Sequence, residues 1–256
     1  MNILLTNDDG YFAKGILALA KALKDAGHNV YVSAPKAEQS AKSHALSLRG
    51  SVRCEEIDLN KFTDGYIKDI PCLSIDGFPA DCVNYAILKG FKDVKFDVCI
   101  SGVNTCMNVG SDCIYSGTFS AACEASLLGV PGIAISAKMK GSEDYSFPVS
   151  FLLERLDQLM KYAKLFTALN INIPSWNPEN IKGVVVTKTG WRAYNDSYRD
   201  NEDGSFTCGG KPINQAETDH DDDCAWVDRG YIAIVPVPAY ATDMETLAEM
   251  KKDIWK

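Results

Sequence analysis

The first 35 residues constrain the fold of this chain more than any other segment. The apolar run at 2–7 predicts a buried strand, and a second run at 28–33 predicts another. Between them, apolar residues recur at helical spacing and stop at Gly27; they are Ile16, Leu19, Ala20 and Leu23. A strand, a helix and a strand in so short a segment form a βαβ unit. The chain is therefore predicted to build a parallel sheet.

The alternation of strands and helices continues beyond this unit. We predict helices at 79–90, 116–129 and 151–169, strands at 96–100 and 131–136, and a β-rich insert at 46–75. Together these elements predict a Rossmann-like, three-layer α/β/α catalytic core with a mostly parallel sheet over residues 1–180.

The segment 181–256 differs from the preceding residues in its composition and in its predicted elements. We predict strands at 183–187 and 231–235, a helix at 241–251, and between them a Gly/Asp-rich stretch with three aromatic residues, Trp191, Tyr194 and Tyr198. This β arm, at about 190–210, has too few apolar residues for a core of its own, and exposed aromatics favour a partner surface. We therefore expect the C-terminal β arm and helix to be an oligomerisation appendage.

Composition excludes some classes of function. The 256 residues carry a formal net charge of −8, so no long-range field attracts duplex nucleic acid. A small phosphate substrate is still allowed, because an ion and backbone N–H groups supply positive potential locally. No apolar run approaches the ~18–20 residues that cross a bilayer, so we expect no membrane segment.

Nine cysteines are present, without a C-x-x-C pair and with three histidines as imidazole partners. An odd number of cysteines, with no leader-like segment at the start, favours reduced thiols in the cytoplasm over disulfides or a zinc site.

The adjacent carboxylates Asp8 and Asp9 follow the first predicted strand, at the edge where open α/β sheets bind ligands. Two like charges at short range resist joint ionisation unless a cation holds them, and oxygen ligands suit Mg²⁺ or Mn²⁺. Helix capping is the alternative, and it accounts for one aspartate better than for two.

Two other folds place acidic or glycine-rich turns at this position. A receiver domain needs a phosphoacceptor aspartate at the end of its third strand, whereas Asp97 lies at the start of ours. A dinucleotide-binding domain needs G-x-G-x-x-G, and the turn here is N-D-D-G, whose carboxylates repel a pyrophosphate. The receiver fold is therefore disfavoured, and the dinucleotide-binding fold is excluded by the turn.

A long loop of turn-forming residues, 101–110, leads to Tyr115-Ser116-Gly117-Thr118 at a predicted helix start. Free N–H groups, hydroxyls and the positive end of the helix dipole form an oxyanion site there. An ordinary N-cap is the simpler interpretation of this loop alone. Its position at the same sheet edge as the acidic pair favours a phosphate site beside a metal site.

These segments together resemble the SurE family, a family of 5′/3′-nucleotidases with broad phosphatase activity. The resemblance spans nearly the whole chain and is carried by ordered motifs: N-D-D-G at 7–10, Ala34-Pro35 with Gln39-Ser40, P-A-D-C-V at 79–83, S-G-V-N at 101–104, N-V-G-S-D at 108–112 and Y-S-G-T at 115–118.

The resemblance implies specific roles. It implies one divalent ion, Mg²⁺ or Mn²⁺, held by Asp8, Asp9, Ser40 and Asn104, with either aspartate as the base for a water molecule. It implies a phosphate-binding side formed by Asn108, Ser116, Gly117 and Thr118. The substrates it implies are nucleoside 5′- and 3′-monophosphates, in a homodimer or homotetramer with exchanged C-terminal segments. A nucleotide-binding or sensing protein with the same metal site and little turnover is the alternative.

Two positions and one segment bear on this interpretation. Ala41 and Cys106 stand where the family favours glycine, which puts the loop geometry in question because glycine adopts positive φ at low cost. The acidic run at 219–223 is expected to be a solvated turn rather than a second metal site.

Overall fold

The computed structural model describes residues 1–63 and 65–253. Their strands form a nine-stranded sheet and a separate two-stranded hairpin. The sheet strands are β1 (Asn2–Thr6), β2 (Asn29–Pro35), β3 (Cys54–Glu56), β4 (Cys72–Ile75), β5 (Val98–Asn104), β6 (Gly132–Ala137), β7 (Thr167–Ile173), β8 (Gly183–Val186) and β11 (Tyr231–Pro238); the hairpin strands are β9 (Ser197–Asp200) and β10 (Phe206–Gly209). The order of strands in the sheet is β3-β4-β2-β1-β5-β6-β7-β11-β8.

The α-helices connect and cover these strands. They are α1 (Lys14–Asp25), α2 (Leu59–Phe62), α3 (Pro79–Tyr85), α4 (Gly117–Leu127), α5 (Ser146–Met160), α6 (Asp223–Asp228) and α7 (Met244–Asp253). Buried residues of α1 and α5 pack in one cluster with the sheet, and buried residues of α3 and α4 pack in another. The predicted Rossmann-like, three-layer α/β/α architecture is therefore confirmed. No helix in the described ranges is long and apolar enough to cross a membrane.

The run of parallel strands from β4 to β7 positions the candidate site. β1 pairs in parallel with β2 and β5, and β6 with β5 and β7. All of them end at one edge, the carboxyl edge, and every residue of β5 and β6 is buried. Near-continuous apolar runs are typical of strands that are covered on both faces.

Residues 181–256 contribute to this same sheet and also extend away from it. β11 pairs antiparallel with β7, and β8 pairs in parallel with β11. The β9–β10 hairpin stands apart, with Tyr198 74% and Phe206 67% exposed. The division at residue 180 and the role of the appendage in assembly stay predictions.

The predicted helix at 151–169 is wrong at both ends. α5 begins earlier, at Ser146, and ends at Met160, and β7 begins at Thr167. The turn between them includes Phe166 at φ 62, and the residues from Ala168 onward are buried between β6 and β11. The strand's leucine and alanine fit a helical pattern equally well, and pairing with two neighbouring strands decides the outcome.

Candidate active site

The acidic pair follows β1 in a tight turn. The Asn7 side chain closes this turn: its Nδ2 donates to the Gly10 carbonyl oxygen at 2.9 Å, and its Oδ1 accepts from the Gly10 N–H at 3.2 Å. Gly10 has φ 103, a conformation that glycine adopts most readily. The turn therefore holds Asp8 and Asp9 at the carboxyl edge.

The start of α4 lies directly against Asp8. The Thr118 Oγ1 donates to Asp8 Oδ1 at 2.5 Å, and both residues are buried. A Cβ atom on Gly117 would lie 2.8 Å from the Asp8 Cβ, so any larger residue there would displace the carboxylate or the helix. The glycine thus permits the close approach of the helix N-terminus to the acidic turn.

Burial makes both carboxylates costly to ionise. It raises the pKa of Asp8, although hydrogen bonds from Thr118 work in the opposite direction. Burial, and then the charges of Asp8 and Glu38, raise the pKa of Asp9 to about 6. No group within residues 1–63 and 65–253 donates a hydrogen bond to the Asp9 carboxylate. A cation would supply the missing compensation.

The loop after β2 reaches the acidic turn through its backbone. The Gln39 N–H donates to the Asp8 carbonyl oxygen at 2.7 Å, which places Ser40 next in the chain to a residue that contacts the pair. The Ser40 side chain is exposed and donates to Glu38 Oε1 at 2.7 Å. Ala41 has φ 56, so the conformation expected for a glycine is present at this position. Cys106 is not among the residues with positive φ.

The two asparagines lie around the end of β5. Asn104 is the last residue of that strand, which continues four residues beyond the predicted end at Ile100. Its Nδ2 donates to the Cys106 carbonyl oxygen at 2.8 Å, and the amide oxygen is the atom of this side chain that can bind a cation. Asn108 follows in the loop, and its Nδ2 donates to Ser136 Oγ at 3.0 Å. Ser136 in turn pairs with Asn104 across β5 and β6.

Ser116 is the N-cap of α4. Its Oγ accepts from the Phe119 N–H at 3.0 Å, and its carbonyl oxygen accepts from Ser120 Oγ at 2.6 Å. The simpler interpretation of this residue, helix capping, is therefore observed. Thr118 is bound to Asp8 and the Phe119 N–H to Ser116, so the Gly117 N–H is the donor of the first turn of α4 best suited to an anion.

The contacts thus bring the predicted residues together in two groups. One joins Asp8 to Gly117 and Thr118 by side-chain contact and to the Ser40 loop by the backbone. The other joins Asn104 and Asn108 through Ser136. β1 and β5 are adjacent in the sheet, with Thr6 opposite Ser101, so both groups occupy the carboxyl edge. Four oxygen-bearing side chains, those of Asp8, Asp9, Ser40 and Asn104, fit a hard divalent cation in their chemistry.

Two features of this region were not predicted. Asn170 and Asn172 of β7 are fully buried and hydrogen-bond to the backbone of Asn108. The alternation of asparagine with apolar residues at 169–173 was the available signal, and the predicted helix obscured it.

The acidic run at 219–223 is the second feature, and the prediction of a solvated turn is wrong for its last two residues. Asp222 is 8% exposed and caps α6 by accepting from the Ala225 N–H. Asp223 is fully buried and accepts from the Gly110 N–H at 2.9 Å and the Gly190 N–H at 2.8 Å. Asp222, Asp223 and Cys224 have potential ligand atoms within 4.8 Å of one another. The hydrogen bonds show that the two carboxylates serve the fold.

Known proteins resemble the chain over nearly its whole length. The family described as "Survival protein SurE" matches residues 3–196. A protein of Clostridium beijerinckii named 5'-nucleotidase SurE is 37% identical, with 98% of this chain and 98% of that protein covered. A protein of Kosmotoga olearia with the same name is also 37% identical, with 99% of this chain and 98% of that protein covered. The crystal structure of the Sure protein from Aquifex aeolicus has a TM-score of 0.78 and 31% identity, covering 98% of this chain and 99% of that one.

The fold and the site define a class of protein: a three-layer α/β protein with an acidic pair and a helix N-terminus at the carboxyl edge of its sheet. The family is shown by the match over residues 3–196 and by relatives of more than 30% identity over almost the full chain. The chain belongs to the survival protein SurE family, and the resemblance stated from its motifs is confirmed.

Proposed function

We propose that the chain is a metal-dependent phosphomonoesterase that hydrolyses nucleoside 5′- and 3′-monophosphates to nucleoside and phosphate. The observation that carries the proposal is the contact between the Asp8 carboxylate and the start of α4. It sets a buried carboxylate pair against the N-terminus of α4, and these are the two halves of a site for a cation and a phosphate. The relatives named 5'-nucleotidase SurE support the same substrate class.

In this proposal one group of residues binds the metal ion and another binds the phosphate. Asp8, Asp9, Ser40 and Asn104 hold one divalent ion, Mg²⁺ or Mn²⁺. A bound ion neutralises phosphate charge and lowers the pKa of a water molecule. One of the two aspartates accepts the proton of the attacking water. The phosphate is oriented by side-chain amide and backbone N–H groups of four residues, Asn108, Ser116, Gly117 and Thr118.

The charge of the chain limits the proposed substrate to a small phosphate ester. The chain has a net charge of −8, so positive potential is confined to the ion and a few N–H groups. That potential suits one phosphate better than a long polyanion.

We also propose that the chain forms a homodimer or homotetramer through its C-terminal appendage and that it acts in the cytoplasm.

The test is turnover of p-nitrophenyl phosphate and of a panel of nucleotides, sugar phosphates and polyphosphate. We expect activity that a chelator abolishes and that Mg²⁺ or Mn²⁺ restores, with the highest kcat/KM among natural substrates for nucleoside monophosphates. Full activity without metal would contradict the metal site. Binding of nucleotide without turnover would favour the sensing protein.

A further inference from the structure

Asn108 lies in a loop that belongs to no strand, yet its backbone is fully hydrogen-bonded. Its N–H donates to Asn172 Oδ1 at 2.7 Å, and its carbonyl oxygen accepts from Asn172 Nδ2 at 3.0 Å. One side-chain amide thus binds both polar groups of one residue's backbone, as a neighbouring strand would. This pairing holds the loop against β7.

Two further groups donate to the same carbonyl oxygen. Asn170 Nδ2 donates at 2.8 Å and Cys113 Sγ at 3.3 Å. Burial raises the pKa of the Cys113 thiol far above its ordinary value, so the thiol keeps the proton that it donates. Three donors therefore converge on one buried carbonyl oxygen and hold this part of the loop at a fixed position.

The asparagines are also costly in their own strand. Asn170 and Asn172 are fully buried in β7, between β6 and β11, where apolar residues would pack without a desolvation cost. The Asn170 Oδ1 has no hydrogen-bond partner among the described residues. Both side chains donate to the Asn108 carbonyl oxygen, and Asn170 Nδ2 also donates to Cys113 Sγ at 3.4 Å, so most of the compensation for their burial comes from the contact with Asn108.

The side chain of Asn108 is fixed by the next strand. Its Nδ2 donates to Ser136 Oγ at 3.0 Å, and Ser136 lies opposite Asn172 in the pairing of β6 with β7. Strand register therefore aligns Asn104, Ser136 and Asn172 in one row at the carboxyl edge. Backbone and side chain of Asn108 are both held by residues of this row.

We propose that Asn172, assisted by Asn170, is a positioning residue that sets Asn108 for binding the substrate's phosphate. The inference rests on the proposed function, and it assigns to these asparagines an effect on phosphate binding that is separate from ion binding. A displaced loop moves Asn108 away from the phosphate. The proposed ion ligands do not lie in that loop, because Asp8 and Asp9 follow β1, Ser40 follows β2 and Asn104 is the last residue of β5, so they remain in place.

The test compares Asn172→Leu and Asn172→Asp with wild type. Leucine removes both hydrogen bonds to Asn108, and aspartate keeps an acceptor but turns a second oxygen toward the carbonyl oxygen. Because small displacements in a site cost up to about 100-fold in rate, we expect kcat/KM for p-nitrophenyl phosphate to fall by about 10- to 100-fold. The inhibition constant for inorganic phosphate should rise by a similar factor, and the affinity for Mn²⁺ should stay unchanged.

Ile171→Val is the matched control. Ile171 is fully buried between the two asparagines and faces the opposite side of β7, so this variant loses packing without touching Asn108. It should keep wild-type phosphate inhibition. Equal weakening of phosphate and Mn²⁺ binding in the asparagine variants, or the same loss in Ile171→Val, would mean that the asparagines support only the core and would overturn the inference.

Asn170→Ala provides the test if the Asn172 variants do not fold. It removes one of the three donors to the carbonyl oxygen and should give a smaller loss with the same selectivity for phosphate over Mn²⁺. Wild-type phosphate inhibition in this folded variant would overturn the inference while leaving the proposed function intact. An inactive wild-type protein would overturn the proposed function and this inference with it.

Discussion

Asp8 with Asp9 and Asp222 with Asp223 are adjacent aspartates that look alike in the sequence but differ in the groups that bind them. Burial raises the pKa of Asp8 and Asp9, and it also raises that of Asp223. The second pair nevertheless has its donors within the chain, because Asp222 caps α6 and Asp223 binds two backbone N–H groups. A raised pKa therefore does not identify a ligand site.

The pair Asp8 and Asp9 differs because the described residues do not fully compensate its negative charge. Asp8 has Thr118 as its side-chain partner, and the described residues offer no donor to the Asp9 carboxylate. The hydrogen-bond donors around the oxygens of an acidic pair therefore decide whether the pair needs an external cation.

Asp8→Asn and Asp9→Asn should show the largest effect. Each should lower kcat by about 10²-fold or more, because loss of one ligand to a catalytic ion removes several kcal/mol of transition-state stabilisation. The fold should persist, since one like charge is removed. Asp219→Asn, the same change at an exposed carboxylate, is the control. An unfolded variant by circular dichroism would show that the pair is structural.

The same variants should change how stability depends on pH in chelator-treated protein. The folded-state pKa of Asp9 is about 6, above the ordinary value of 3.8, so the folded state binds more protons between these values. The contribution of Asp9 to stability should therefore fall as pH rises from about 4 to 6, and Asp9→Asn should remove this contribution from the slope of stability against pH. Urea unfolding at several pH values measures it, and an unchanged slope would contradict the assigned burial.

Asp223→Asn should destabilise the fold instead. The asparagine presents an amide donor to one of the two N–H groups, at Gly110 or Gly190, that the carboxylate accepts from. We expect a loss of about 2 kcal/mol in the free energy of unfolding, typical of a hydrogen bond to a charged group. Urea unfolding against Asp219→Asn measures this loss. An unfolding midpoint equal to that of wild type would show that the hydrogen bonds of Asp223 to Gly110 and Gly190 do not stabilise the fold.

Removal of the β9–β10 hairpin should have the smallest effect on the site. The Asn195 N–H donates to the Lys211 carbonyl oxygen at 3.0 Å, so a two-glycine turn can replace residues 197–209 without disturbing the contacts of Asp223. We expect a lower oligomer mass by light scattering, because the change removes the exposed Tyr198 and Phe206, which we propose contact a partner subunit. An unchanged mass would show that assembly does not use the hairpin.

Much of the fold could be predicted from local pattern. The βαβ unit and the acidic turn depend on residues close in the chain, so spacing and turn chemistry were sufficient to place Asp8 and Asp9 at the carboxyl edge. The predicted boundary between α5 and β7 was wrong because the apolar residues near Leu169 fit the periodicity of a helix as well as that of a strand. Pairing of β7 with β6 and β11 supplied the missing information.

The supporting contacts of the site could not be predicted in this way. Asp223 and Gly110 are 113 residues apart in the chain, and Asn172 and Asn108 are 64 apart. A sequence shows that Asp223 is acidic and that Asn172 lies in an apolar run. It does not show which distant backbone group each one meets, and that partner decides the role.

Direct Mn²⁺ binding tests the central claim, that Asp8 and Asp9 hold the catalytic ion while Asp222 and Asp223 hold the fold. Titration of metal-free protein with Mn²⁺, followed by electron paramagnetic resonance, counts the sites in wild type, Asp9→Asn and Asp223→Asn. We predict one site in wild type, its loss in Asp9→Asn and its retention in folded Asp223→Asn. Retention of the site in Asp9→Asn, with its loss in Asp223→Asn, would contradict the account.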